Sequence, residues 1–202
     1  MLVGHPMLQS VEQDIEVIRD KICNWALVVL AVYAVPALTA SLFRLVNIGW
    51  QPVMLLHIFF ALVMWGMALF RHSVPYWLRS GYIVVMLFLL SIGGLMNFGL
   101  VSGAIPFLVT APVMATIFYG RISGILYTGV MLVCMILIAY LTSTGTLVSD
   151  IDIQHYLISP AAWITLIFAT LMAVVTVSAS MMMIAQFLSS SLDDVRRTKE
   201  EL

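Results

Sequence analysis

Long apolar runs separated by short polar turns set the organisation of this chain. Six runs stand out, over 22–45, 53–70, 81–98, 105–119, 125–141 and 161–187. Each is continuous, not alternating, so each reads as an apolar helix and not as a strand of a membrane β-barrel. The links between them, at 47–52, 71–79, 99–104, 120–124 and 142–159, hold most of the polar and turn-forming residues. The fourth run is short and carries Pro106 and Pro112; a proline inside a helix frees a backbone carbonyl that must be satisfied within the bundle. The predicted architecture is all-α: a polytopic bundle of six transmembrane helices.

The two ends of the chain differ in pattern. Residues 1–21 are polar, with Val11, Ile15 and Ile18 spaced as one helical face. That spacing predicts a short amphipathic helix on the membrane surface or against the last helix. The last apolar run instead continues into 188–202 without a Pro or Gly. One helix over 160–202 would be roughly 60 Å long, about twice the hydrocarbon thickness, so its end must stand in water. Ile184, Leu188, Leu192, Val195 and Leu202 follow a spacing close to a heptad seam, as for a parallel partner helix. The chain thus divides into an N-terminal segment 1–21, a bundle 22–187 and the start of a coiled-coil connector 188–202. Leu188, Leu192, Val195 and Leu202 are the expected contacts with a partner helix, and the helix reads as a connector to a further domain.

Composition excludes several classes. Of 202 residues, 62% are hydrophobic and 9% charged, which rules out a soluble domain. The formal net charge is −1 with no basic cluster for nucleic acid. Cys23 and Cys134 lie inside apolar runs and are expected to be reduced and structural. The first 21 residues hold four acids and two bases and no apolar stretch, unlike a cleavable signal peptide. Eight of the nine bases fall at the end of the bundle that holds both termini; Arg44 alone falls at the other. The positive-inside rule then places both termini in the cytoplasm, with Asp150 and Asp152 outside.

Candidate chemistry is sparse. No Asp or Glu lies between Lys21 and Asp150, although proton relays and cation carriers place carboxylates in the membrane. His57, His72 and His155 sit on separate segments, which argues against a metal site. Arg121-Ile122-Ser123-Gly124 lacks the pattern of an intramembrane serine protease. No catalysis and no cofactor is expected within this chain. Folding the runs up and down gathers Arg44, Asn47, Trp50, Gln51, His57, Asn97, Ser102 and Trp163 at the end away from the termini. Arg44 either snorkels to headgroups or reads an anionic or carbonyl-bearing ligand. His57 and Asn97 serve either as interhelical hydrogen-bond partners or as ligand contacts. Trp50 and Trp163 read most simply as interfacial anchors; with Gln51 they complete the candidate ligand-binding set.

The stretch Gly93-Gly94-Leu95-Met96-Asn97-Phe98-Gly99, then Ile105-Pro106-Phe107-Leu108, Pro112 and Tyr119-Gly120-Arg121-Ile122-Ser123-Gly124-Ile125, resembles the middle of six-span membrane input domains of the MASE-like kind. The terminal Ser191-Leu192-Asp193-Asp194-Val195-Arg196-Arg197 resembles the connector helix that follows them. The resemblance covers 80–202; residues 1–79 share with it only the presence of two spans. It implies a homodimeric sensor in a bacterial inner membrane, placed ahead of a histidine kinase, PAS or nucleotide cyclase domain. It supplies no ligand and no catalytic residue. The leading expectation is a sensory module that detects a small or lipophilic ligand, or a membrane state. The alternatives are a small carrier or channel-like protein and a passive dimerising anchor.

Overall fold

The computed structural model describes residues 6–147, 158 and 160–200. Among the described residues are six α-helices and one short 3-10 turn. They are α1 (Pro6–Ile48), α2 (Pro52–Leu69), α3 (Tyr76–Phe98), α4 (Ile105–Tyr119), α5 (Arg121–Ser143) and α6 (Pro160–Glu200), with the 3-10 turn at Gly99–Val101. The expectations placed on Asp150, Asp152, His155 and Leu202 lie outside the described residues. So do those on the side chains of Arg44, Asn47, Leu192 and Val195.

Proline sets where several of these helices begin. Pro52 and Pro106 occupy the first turn of α2 and α4, and Pro160 opens α6. The first turn leaves its backbone N–H groups unpaired, so the missing N–H of proline costs nothing there. Pro75 caps α3 in the extended conformation. The third helix therefore starts at Tyr76, five residues before the apolar run does, and takes Arg79 into its first turn. The N-terminal segment also differs from the separate surface helix expected of it. It is the first part of α1, which is unbroken from Pro6 through Ile48. Only Pro36 interrupts a stretch without glycine between Pro6 and Gly49, so nothing at residue 21 ends the helix. Ile18 packs on the core while Ile15 is exposed.

Among the described residues five stretches are long and apolar enough to cross a membrane: Asp14–Phe43, Pro52–Leu69, Tyr76–Val101, Arg121–Ser143 and Ala162–Ser190. The helix Ile105–Tyr119 is shorter, about 22 Å against about 30 Å of hydrocarbon. α1 packs most extensively on α6 and α2, while α3 and α5 flank α4. Ile22, Leu27, Leu30, Met64, Ile83, Leu87, Met114 and Phe118 form the buried centre. α5 is outermost: of its described side chains only Met131 is buried, beside Gly124. Ile122, Leu126, Val133 and Ile136 face outward, a surface fit for lipid.

Aromatic side chains strap the helices together. Trp65 Nε1 donates to the Ala31 carbonyl (2.9 Å), Tyr82 to Phe60 (2.6 Å), Tyr76 to Phe118 (3.0 Å) and Tyr127 to Val84 (3.0 Å). These bonds link α2 to α1, α3 to α2 and α4, and α5 to α3. Each polar bond between membrane helices contributes on the order of 0.6 kcal/mol, so their value is in fixing register. The α4–α5 turn is a single residue, Gly120, at φ +88. Side chains rarely adopt that conformation, so glycine is required. One turn on, a Cβ at Gly124 would sit 1.9 Å from Thr116 Oγ1; the absence of a side chain is what lets the two helices meet there.

Candidate ligand cavity

Between α1, α2, α3, α4 and α6 lies a cavity of about 110 Å³. An apolar cavity of about 150 Å³ accepts benzene, so this one suits a molecule of that order or a single chain segment. α1 contributes Leu30, Ala34, Ala37 and Ser41, spaced three or four apart along one face. α2 contributes His57, Phe60, Ala61 and Met64, and α3 contributes Met86, Leu90, Gly94 and Phe98. The side towards α6 is formed by Thr165, Ala169 and Met172. The space runs from the α1–α2 turn towards the middle of the bundle.

The walls are mostly apolar, with polar groups gathered at one end. Ser41 Oγ and His57 Nδ1 are 2.7 Å apart; Ser41 is buried. Ser102, also buried, accepts the Ala104 N–H at 3.1 Å. The walls at this end approach one another closely. A Cβ at Gly94 would lie 2.4 Å from Ser102 Oγ and 2.6 Å from Ala104 Cβ, and one at Gly103 would lie 3.0 Å from Thr165 Cγ2. An apolar chamber with a few convergent polar groups is the general form of a small-molecule site. It can hold an apolar body and hydrogen-bond one polar function of it.

At the other end of the bundle, near the start of α3, lies an ion pair whose arginine is buried and whose carboxylate is half-exposed. Arg79, 6% exposed, holds Asp20 at 2.6 Å through Nη2. Its Nη1 donates to Asn24 Oδ1, and Asn24 Nδ2 donates to Asp20 Oδ2 at 3.0 Å. Arg79 Nε is buried without a hydrogen-bond partner. Asp20 and Asn24 are one turn apart on α1, so the cluster clasps α1 to α3.

A family model for MASE11, a family of membrane-associated sensor domains, matches residues 17–186. The match covers more than four fifths of the 202 residues. The chain belongs to the MASE11 family. No curated protein and no solved structure matches it. The MASE11 match takes in α1 and α2, which the resemblance read from the sequence left aside. It includes both sides of the Asp20–Arg79 pair and every cavity residue.

Within this MASE11 chain the residues expected to bind ligand separate. Of that set His57 lines the cavity; Ser102, placed by the sequence in the same polar cluster but not in the ligand-binding set, lines it too. Trp50, Gln51, Asn97 and Trp163 do not. Asn97 Nδ2 donates to the Gly93 carbonyl one turn back, at 2.8 Å. Trp50 and Trp163 are more than half exposed, and Gln51 is the residue before α2. Arg44 lies on α1, three residues past Ser41. Of the expected dimer contacts, Leu188 is exposed on α6; Leu192 and Val195 lie further along that helix. Sequence reading missed Ser41 and the Asp20–Asn24–Arg79 cluster. The signal for Arg79 was present: Ser73-Val74-Pro75 is a helix-start pattern, which places Arg79 on α3 and not in a link.

Proposed function

We propose that this membrane-associated domain is a sensory input module whose cavity receives a small, mainly apolar ligand and whose sixth helix relays its presence. The observation that carries this reading is the cavity wall formed by Thr165, Ala169 and Met172, on the helix that continues to Glu200. From Met172 that helix extends about 40 Å further. A ligand shifts a two-state equilibrium only by its difference in affinity for the two states. Here the wall it would touch belongs to the helix that would carry the difference. The buried face of α6 is lined by small residues, Ala162, Ala169, Ala173, Thr176 and Ser180, which present low ridges to a small rotation or slide. His57 and Ser41 would fix a polar group of the ligand, and Arg44 would read an anionic or carbonyl-bearing function near the same end. The receiving domain, joined beyond α6, is of the kinase or cyclase type that the MASE-like resemblance implies, and the protein works as a homodimer in a bacterial inner membrane.

Fusion of a nucleotide cyclase domain after this chain tests the relay. Ala169→Phe, which fills the cavity against α6, should change basal output at least about fivefold, the lower end of usual allosteric coupling. Val174→Phe on the exposed face of the same helix should leave output unchanged. Equal output from wild type and both variants would leave a passive anchor.

Leu188→Cys tests the dimer and the orientation together. It should cross-link between copies, and an impermeant thiol reagent should block it only after cells are permeabilised. Blocking in intact cells would reverse the assigned orientation; absence of cross-linking would remove the seam.

A further inference from the structure

A second recess lies at the end of the bundle opposite the cavity, between α1, the segment after α2, and α6. It is lined by Lys21, Asn24, Trp25 and Val28 of α1, Arg71 and His72, and Met183. No acidic residue lines it. The nearest carboxylate on α1, Asp20, is bound to Arg79 and Asn24. Among the described residues neither Lys21 nor Arg71 makes an ion pair. Arg71 Nε donates to His72 Nε2 at 3.3 Å, which leaves the ring proton of a neutral imidazole on Nδ1. Two cations and an imidazole donor therefore meet without a compensating charge, above an apolar floor of Val28 and Met183.

The depth of this recess identifies its surroundings. Trp25, one turn past Lys21, is 57% exposed, and Trp77, in the first turn of α3, is 67% exposed. An exposed tryptophan at a helix end, as Trp77 is, marks the headgroup level of a bilayer, and Arg79 of the same turn is bound to Asp20 and Asn24, at the level of Lys21 on α1. The apolar floor lies on the bilayer side of the charges, as in a site for a headgroup with its chains attached. Basic pockets between helices at this depth bind anionic headgroups.

We infer that Lys21, Arg71 and His72 form a site for the phosphate of an anionic phospholipid, with Trp25 and Val28 against its acyl chains. The lipid would touch α1 and Met183 of α6 at once. The site is separate from the cavity, and its failure would leave the sensory reading untouched.

Native mass spectrometry of the full chain, released from detergent with phosphatidylglycerol or phosphatidylcholine, tests it. Each base near a membrane surface contributes about a fivefold preference for anionic lipid. Wild type should retain phosphatidylglycerol over phosphatidylcholine, and Lys21→Gln and Arg71→Gln should each reduce that preference about fivefold. The charge-preserving pair Lys21→Arg and Arg71→Lys should keep most of it, which separates charge from folding. Arg121→Gln, an exposed base outside the recess, should behave as wild type. Equal retention in wild type and both Gln variants would overturn the site, as would an equal loss in Arg121→Gln. Displacement of the lipid by millimolar inorganic phosphate would overturn the lipid assignment and leave a site for a soluble anion.

Discussion

Asp20→Ala should cost about 3 kcal/mol of stability, and more than Arg79→Met. The order follows from which charge is left behind. The side chain of Arg79 is 7% exposed and that of Asp20 42%. Removing Asp20 strands a buried guanidinium, whereas removing Arg79 leaves a carboxylate that water already reaches. Loss of one partner of a buried pair costs about 3–5 kcal/mol, and the exposure of Asp20 places this pair at the low end. The double variant Asp20→Ala with Arg79→Met should recover most of the loss, because an apolar replacement of a buried pair is often neutral. The unpartnered Nε of Arg79 adds to the cost of keeping the charge. Denaturant titration in mixed micelles reads all three. A double variant no more stable than Asp20→Ala alone would show that the charge left buried is not the source of the loss.

Gly124→Ala should lower stability by about 1–2 kcal/mol despite better helix propensity. The new methyl would meet Thr116 Oγ1 at 1.9 Å, Thr116 Cβ at 3.0 Å and Thr116 Cα at 3.2 Å. Thr116 Oγ1 is not free to swing away at no cost, since it donates to the Pro112 carbonyl at 2.9 Å. Overpacking of this kind costs about 1–3 kcal/mol, offset by up to about 1 kcal/mol for replacing glycine in a helix. Adding Thr116→Ala removes the closest contact but not the backbone one, so it should restore part of the loss. The same titration checks it. A Gly124→Ala protein as stable as wild type would mean that α4 and α5 do not approach this closely.

The helix Ile105–Tyr119 was legible to the residue, because Pro106 and Gly120 bracket an apolar run. The start of α3 was not, because Tyr76, Trp77 and Arg79 look like interfacial link residues until Pro75 is read as a cap. The division at residue 21 followed a change in composition, which does not end a helix when no Gly or Pro accompanies it. His57 drew notice as a lone imidazole in an apolar run. Its partner Ser41 did not, because a serine in a membrane helix usually bonds to its own preceding turn. The cavity itself left little trace. Ala34, Ala37, Ala61 and Ala169 read as close-packing residues, and whether small side chains bring helices together or leave space depends on register. That register is set by long-range contacts such as Tyr82 to Phe60 and Gly103 against Thr165.

The shortness of α4 has a consequence for the lipid around it. At one end Tyr119 Oη lies 2.8 Å from Ser80 Oγ, and the exposed Arg121 follows Gly120, a pairing of tyrosine and base that suits the membrane interface. A helix of about 22 Å rising from there ends about 8 Å below the far surface of the hydrocarbon. The segment 99–104 would then lie beneath the headgroups; its backbone is bonded from within, Ser102 N–H to Gly99, Ile105 N–H to Ser102 and Ala104 N–H to Ser102 Oγ. Bilayers meet such a shortfall by thinning, at fractions of a kcal/mol per Å of mismatch. A hydrocarbon layer of ordinary thickness beside α4 would therefore be drawn inward by about 8 Å in one leaflet, so a thinner bilayer would fit this side of the protein better.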